Sequence, residues 1–262
     1  MPELIHGDCL DKEIGLPSLA PETFDACVTS PPYNLGIKYH QYNDNKTREQ
    51  YLNWLGSVFS EVYRTLKPSG HLFLNVGYSN RDPWIAQDVA GVLRKQWTLQ
   101  NSIIWVKSLH VNSKTFGHFK PINSNRYITP TWEHLYHFTK SELTTVDKLA
   151  VGVPYVYYEG NKRNPKTADT KPNLRCRGNT WFVPYDTIQS KYEKGKHPAI
   201  FPVALADMCL RLTGITSGCV LDPFMGTGTT AVAAEANHWD YTGFDIDVEY
   251  MEFAQERLAL WT

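Results

Sequence analysis

The sequence predicts an α/β fold: a mostly parallel sheet covered by helices on both faces. Three observations carry this. Apolar runs at Phe24 to Val28, His71 to Val76, Cys219 to Asp222 and Tyr241 to Phe244 alternate with stretches of helical spacing. Several runs end in residues with special backbone demands, namely Ser30-Pro31-Pro32-Tyr33, Gly226-Thr227-Gly228 and Asp245. The 262 residues, 42% of them apolar, suit one large domain or one domain with an inserted lobe.

In chain order, Leu4-Ile5-His6 reads as a short strand with Asp8 at its carboxyl tip, and Asp11 to Pro21 as a turn or short helix. The strand Phe24 to Val28 delivers the Pro31-Pro32 corner. Two prolines fix φ near -65° and remove two N-H donors, so the corner is rigid and lies outside a sheet ladder. That rigidity leaves the Ser30 and Pro31 carbonyls able to accept hydrogen bonds and holds Tyr33 as a flat platform. Taken alone, the corner reads either as a proline-rich turn or as a functional loop at the strand end where open α/β sheets bind ligands.

From Thr47 to Lys67, Tyr51, Leu55, Val58, Val62 and Leu66 recur at helical spacing, and Lys67-Pro68-Ser69-Gly70 reads as the stop. A buried strand His71 to Val76, a helix Trp84 to Lys95 and a strand Leu99 to Val106 follow. Trp132 to Phe138 is expected as one more strand, antiparallel and at the sheet edge. Helix Ala199 to Thr213, strand Cys219 to Asp222, helix Thr229 to Asn237, strand Tyr241 to Phe244 and helix Glu249 to Leu260 complete the pattern.

Between these halves the texture changes. From Lys107 to Lys196 there are 15 Lys and Arg against 7 Asp and Glu, although the whole chain carries 26 and 27. Ser141 to Lys196 mixes aromatics, bases and prolines without a period, as an inserted subdomain does. A basic lobe on an acidic body points to a polyanionic partner. The five cysteines are scattered with no Cys-x-x-Cys, so they read as reduced, and no metal site is expected. Met1-Pro2-Glu3 opens no signal peptide and no run reaches the ~18 apolar residues of a membrane span. A soluble, cytoplasmic protein is expected.

Gly226-x-Gly228-x-x-Ala231, between a strand and a helix, lets backbone approach a nucleotide closely, and Asp245 ends the next strand, where an acid can take two ribose hydroxyls. Gly-Lys-Ser/Thr is missing, which excludes a Walker loop. Asp8, Asp222 and Asp245 together would line one sheet edge with carboxylates. Such a ring repels pyrophosphate and suits ribose hydroxyls, an adenine amino group and an ammonium, which favours S-adenosylmethionine over NAD.

Ser30-Pro31-Pro32-Tyr33 with Asp222-Pro223-Phe224-Met225-Gly226-Thr227-Gly228-Thr229-Thr230 resembles the β group of DNA amino methyltransferases, in which the catalytic motif precedes the cofactor motif. Gly7-Asp8-Cys9-Leu10, Lys196-His197-Pro198 and Trp132-Glu133-His134 extend the likeness over nearly the whole chain except 141–191. The resemblance implies a Rossmann-like methyltransferase fold with a seven-stranded sheet and permuted motif order. Residues 1–140 would be the catalytic half, 141–196 the target-recognition insertion and 197–262 the cofactor half.

By the same resemblance Ser30, Pro31, Pro32 and Tyr33 are the catalytic set. The Ser30 side chain and Pro31 carbonyl would accept the two hydrogens of an exocyclic amine while Tyr33 stacks on the base. Asp8, Cys9, Ser30, His197, Pro198, Asp222, Pro223, Phe224, Gly226, Thr227, Gly228, Thr229, Asp245 and Ile246 would hold S-adenosylmethionine. Lys162, Arg163, Arg175, Arg177 and Asn179 are the residues expected on DNA. Cys27 is expected in the core, since no covalent intermediate is needed. Ser-Pro-Pro-Tyr goes with cytosine N4 in this group; adenine N6 is the alternative, because Asn34-Leu35-Gly36 also occurs on the adenine side.

The implied protein is prokaryotic or phage-encoded, works on double-stranded DNA as a monomer or homodimer, and has a possible companion restriction endonuclease. Its rivals are an RNA or protein-glutamine amino methyltransferase, which generally puts the cofactor motif first, a NAD-dependent oxidoreductase, and a non-catalytic DNA-binding module.

Overall fold

The computed structural model describes residues 3–117, 122–154, 174–184 and 201–260. Its centre is an eight-stranded sheet. Strands β1 (Glu3–His6), β2 (Phe24–Thr29), β3 (Leu66–Val76) and β4 (Thr98–Val106) alternate with helices α1 (Arg48–Thr65) and α2 (Ile85–Leu93). A small hairpin follows, β5 (Leu109–Val111) and β6 (Lys114–Phe116), then β7 (Trp132–Thr139). The pair β8 (Val153–Pro154) and β9 (Leu174–Arg175) forms a separate ribbon, and β10 is Thr180–Phe182. The chain ends with α3 (Val203–Leu212), β11 (Cys219–Asp222), α4 (Thr229–Ala236), β12 (Asp240–Asp245) and α5 (Val248–Ala259).

Across the sheet the order is β1-β12-β11-β2-β3-β7-β4-β10. The first five strands are mutually parallel, as β10 is with β4, and β7 runs against both of its neighbours. Side-chain alternation along the buried strands divides the core in two. Ala26, Val28 and Phe73 pack with Leu205, Leu210 and Val232 of α3 and α4 on one face. Cys27, Leu72 and Leu74 pack with Tyr51, Leu55, Val58, Ile85 and Val89 of α1 and α2 on the other. Each buried Val, Leu, Ile or Phe among them contributes about 1.5–3 kcal/mol of burial. Cys27 sits in that core as expected.

Helix α1 begins where its sequence provides a capping box: Gln50 N-H donates to Thr47 Oγ1 and Thr47 N-H to Gln50 Oε1, both at 3.2 Å. It ends at Thr65, and β3 starts at once. Leu66 pairs with Phe24 and His71 with Ala26, so Lys67 to Gly70 bulge out of the ladder, with Lys67 Nζ 2.8 Å from Asp25 Oδ1. The turn read from Pro68 and Gly70 is therefore a bulge within the strand.

Two expectations are corrected. The strand from Trp132 lies inside the sheet, not at its edge. Its polar residues mislead because they are satisfied internally: His137 Nε2 is 3.0 Å from His71 Nδ1, and its Nδ1 is 2.9 Å from Asn101 Nδ2. Burial lowers His71 to about 4 and His137 to about 3, so both rings are neutral at pH 7. The sheet also has eight strands where seven were expected. The extra strand is β10, and it takes Trp181 out of the expected recognition lobe into the core, where only 1% of its surface is exposed. Trp105 Nε1 donates to the Val183 carbonyl at 2.8 Å and fastens this edge. Among the described residues no helix is long and apolar enough to cross a membrane.

Candidate functional site

Parallel strands deliver their carboxyl ends to one edge, and β1, β12, β11 and β2 are neighbours. A cavity of about 600 Å³ opens there. Asp8 and Cys9 enter it after β1, Ser30, Pro31, Pro32 and Tyr33 after β2, Pro223, Phe224, Gly226, Thr227 and Thr229 after β11, and Asp245 and Ile246 at the end of β12. Most of the sequence-predicted catalytic and cofactor residues thus share one wall.

The opposite wall comes from the loop between β2 and α1, with Tyr39, Tyr42 and Lys46, together with Trp54 and Tyr250. Sequence reasoning missed this wall, because a loop without periodicity gives no pattern to read. One carboxylate shapes it. Buried Asp44 accepts from the N-H groups of Asn34, Leu35 and Ile37 at 2.8, 3.0 and 2.9 Å. Tyr51 Oη donates to the Pro32 carbonyl at 2.8 Å and braces the corner from below. His40 Nδ1 lies 3.2 Å from Asp247 Oδ2 and ties the loop to the residue that caps α5.

The turn after β11 needs its glycines. Gly226 and Gly228 have φ of 51° and 80°, and a Cβ on Gly228 would stand 2.8 Å from the Ala254 Cβ. Asp245 organises the turn: Oδ2 accepts from Gly226 N-H at 2.8 Å and Oδ1 from Asp247 N-H at 2.9 Å. Burial pushes Asp245 up to about 6 against those two bonds, which pull it down. Each oxygen keeps a lone pair for a further donor. Asp8 is exposed at the rim, with Oδ1 accepting from Leu10 N-H at 2.9 Å.

Asp222 departs from the expected ring of three carboxylates. It lies behind the cavity wall, 1% exposed, with Thr29 Oγ1 at 2.6 Å and Phe224 N-H at 3.0 Å on Oδ1, and Thr230 Oγ1 at 2.7 Å from Oδ2. Gly228 likewise supports the turn from behind and is absent from the lining.

The corner itself has partners that the motif did not announce. Tyr33 Oη is 2.7 Å from Ser30 Oγ, 2.7 Å from Asn75 Nδ2 and 3.1 Å from Glu133 Oε2. Asn75 Nδ2 also reaches Glu133 Oε2 at 2.8 Å, and Lys107 Nζ reaches Oε1 at 2.7 Å. The antiparallel course of β7 makes this possible, since its first residues, not its last, lie at the carboxyl edge of β3 and β4. Asn75 carried a legible signal, a polar residue one position before the end of a buried apolar strand.

The expected DNA contacts are not gathered at this cavity. Arg177 Nε donates to the Val151 carbonyl at 2.9 Å, and Asn179 Nδ2 to the Ser102 carbonyl at 2.9 Å. The adjoining segment is bonded to the end of α3 through Asp147 N-H and the Leu212 carbonyl at 2.9 Å, and α3 leads into the amino end of β11. Asn179 is held beside Ser102 of β4, and Arg177 against the segment that leads into β8. Arg175 is exposed on β9. Lys162, Arg163, His197 and Pro198 lie outside the described residues.

A family model described as DNA methylase matches residues 24–256. The Type II methyltransferase M.ScaI of Streptomyces caespitosus is 29% identical over 97% of this chain and 80% of its own length. The structure of the PvuII DNA methyltransferase, named as cytosine-N4-specific, covers 98% of this chain and 86% of that one at a TM-score of 0.73 and 19% identity, a likeness of fold. A DNA modification methylase of Thermus thermophilus, solved in complex with S-adenosyl-L-methionine, is 25% identical with a TM-score of 0.63, covering 100% of this chain and 96% of that one. On the family match, which takes in both the corner at Ser30 and the turn at Gly226, this chain belongs to the DNA methylases that modify an exocyclic amino nitrogen, N4 of cytosine or N6 of adenine.

Proposed function

We propose that the cavity binds S-adenosylmethionine against Asp8, Asp245 and the Gly226 to Thr229 turn, and presents a flipped base to Ser30 and Tyr33. The observation that carries this reading is the shared edge: a corner rich in acceptors and a glycine turn with its carboxylate face one cavity of about 600 Å³. The residues fit the cofactor. Asp245 retains acceptor capacity for two ribose hydroxyls, Asp8 is open to a cationic or amino group, and the buried Tyr42 hydroxyl has no partner among the described residues. When bound, the cofactor supplies a sulfonium methyl.

An exocyclic amine is a poor nucleophile because its lone pair is conjugated with the ring. Ser30 Oγ and the Pro31 carbonyl accept its two hydrogens, draw the nitrogen toward sp³ and free the lone pair for in-line attack, so positioning and field supply the catalysis. The base must leave the duplex to reach this corner, at a cost of a few kcal/mol. The hairpin β5–β6 rises from the same edge, just after β4 ends at Val106, and exposes Leu109, Val111 and Phe116 beside Lys114. It is the described part of the basic region best placed to meet DNA, and 141–196, less the sheet strand β10, remains our proposed recognition insertion.

Cytosine N4 is the favoured target, from Ser30 before the two prolines; adenine N6 is the second reading, from Asn34-Leu35-Gly36. Digestion of methylated DNA to nucleosides followed by mass spectrometry decides between them. N4-methylcytosine is expected, N6-methyladenine would reverse the assignment, and neither product would overturn the proposed chemistry.

A further inference from the structure

The hydrogen-bond chain behind Ser30 has a direction, and its far end sets it. An ionised carboxylate only accepts. Glu133 accepts from Lys107 Nζ on Oε1 and from Asn75 Nδ2 on Oε2, so Tyr33 Oη, 3.1 Å from Oε2, must be the donor in that contact. With its one proton committed, the phenol oxygen can only accept, and it does so from Asn75 Nδ2 and from Ser30 Oγ, each at 2.7 Å. Ser30 therefore gives its proton inward and turns lone pairs toward the cavity. Asn75 cannot be reversed, because its oxygen would then face both the Tyr33 oxygen and the carboxylate. The packing admits no slack: a Cβ on Gly77 would lie 2.6 Å from Tyr33 Cε2 and 3.0 Å from Glu133 Cδ. Burial, helped by the Glu133 charge, raises Tyr33 well above the usual phenol range and keeps its proton in place.

We propose that Glu133 is a positioning residue for methyl transfer: acting through the Tyr33 hydroxyl, it fixes Ser30 as a hydrogen-bond acceptor toward the base. An acceptor at Ser30 fits an amino group and opposes the keto group that a deaminated base carries at the same ring position. The inference rests on the reading of Ser30 as the amine acceptor.

Glu133→Gln tests it with nearly unchanged shape. The new amide can donate to Tyr33, which reverses the chain and points the Ser30 proton at the amine. Loss of one charge-assisted hydrogen bond predicts a fall in kcat of roughly ten- to a hundredfold. The affinity for S-adenosylmethionine, measured by calorimetry, should stay within about twofold, and Glu133→Asp should recover part of kcat. Tyr33→Phe keeps the ring packing and should lose a similar factor, and the double variant should lose no more than the worse single one. Unchanged kcat in Glu133→Gln or in Tyr33→Phe overturns the proposal, as does a parallel loss of cofactor affinity or multiplicative losses in the double variant. Ser30→Ala separates the two levels. If it stays active, the amine-acceptor reading fails; if it is dead while Glu133→Gln is fully active, only the role of Glu133 falls.

Discussion

The Thr230 hydroxyl lies 2.7 Å from the Asp222 carboxylate, and its single proton has a second acceptor in the Val28 carbonyl at 3.0 Å. That proton is shared between the two acceptors while Asp222 is ionised; with Asp222 protonated on Oδ2, the carboxyl can donate to Thr230 and leave the Thr230 proton to Val28. Burial pushes Asp222 up to about 6, which brings that form within reach.

Asp222→Asn reproduces the protonated form, with an amide N-H for Thr230 and an oxygen for Thr29 and Phe224. It should melt at or above the wild-type temperature at pH 7.5, whereas Asp222→Ala should lose roughly 2–4 kcal/mol by stranding the Thr29 hydroxyl and the Phe224 N-H. The sign of the pH effect follows from a folded pKa above the unfolded value of about 4. The protonated group stabilises the fold fully below that value, and the contribution disappears as pH rises through about 6. Melts at pH 4.5 and 7.5 should thus show the wild type losing ground to Asp222→Asn at the higher pH; a constant gap would refute the assignment.

Asp245 needs its charge to hold ribose hydroxyls. Its carboxyl titrates near 6, so affinity for S-adenosylmethionine should weaken as pH falls below that point. Asp245→Ala should weaken it by roughly ten- to a hundredfold at pH 7.5, the range of one hydrogen bond to a charged group. Calorimetry across pH 5 to 8 checks both, and a flat profile would remove Asp245 from the ribose site.

Gly228 has no room for a methyl group. Gly228→Ala places a Cβ against Ala254 in a backbone conformation with φ of 80°, and should cost about 1–3 kcal/mol of stability. Denaturant melts measure it directly. A neutral result would mean that the turn and α5 can separate.

Trp181 separates core from recognition. Truncation to Ala should cost about 3–5 kcal/mol, since the indole is buried in one core cluster with Ile103, Trp105 and Leu205. DNA affinity, measured well below the melting temperature, should remain within about twofold. A selective loss of DNA binding with normal stability would return Trp181 to the recognition surface.

What the chain disclosed before folding was local. Ser30 to Tyr33 and Gly226 to Thr229 are contiguous, and each demands a backbone shape that few other residues satisfy, so their place at strand ends was legible. Strand order is not local: nothing in Trp132 to Thr139 says that it slips between β3 and β4, and the three residues of β10 are too short for a period. That Tyr33 meets Asn75 and Glu133 was hidden for the same reason. Asn75 of β3, Glu133 of β7 and Lys107 just beyond β4 meet only through the register of the sheet.

Between Lys107 and Thr131 the chain leaves the sheet and comes back to the point it left, for the Lys107 N-H donates to the Thr131 carbonyl at 2.8 Å and Val106 is paired with Trp132. The excursion is thus a cassette with a fixed socket. Its closure entropy grows only slowly with length, about 0.6 kcal/mol per doubling. Loops of other lengths and compositions can be seated there while Lys107 and Glu133 keep their places behind the corner.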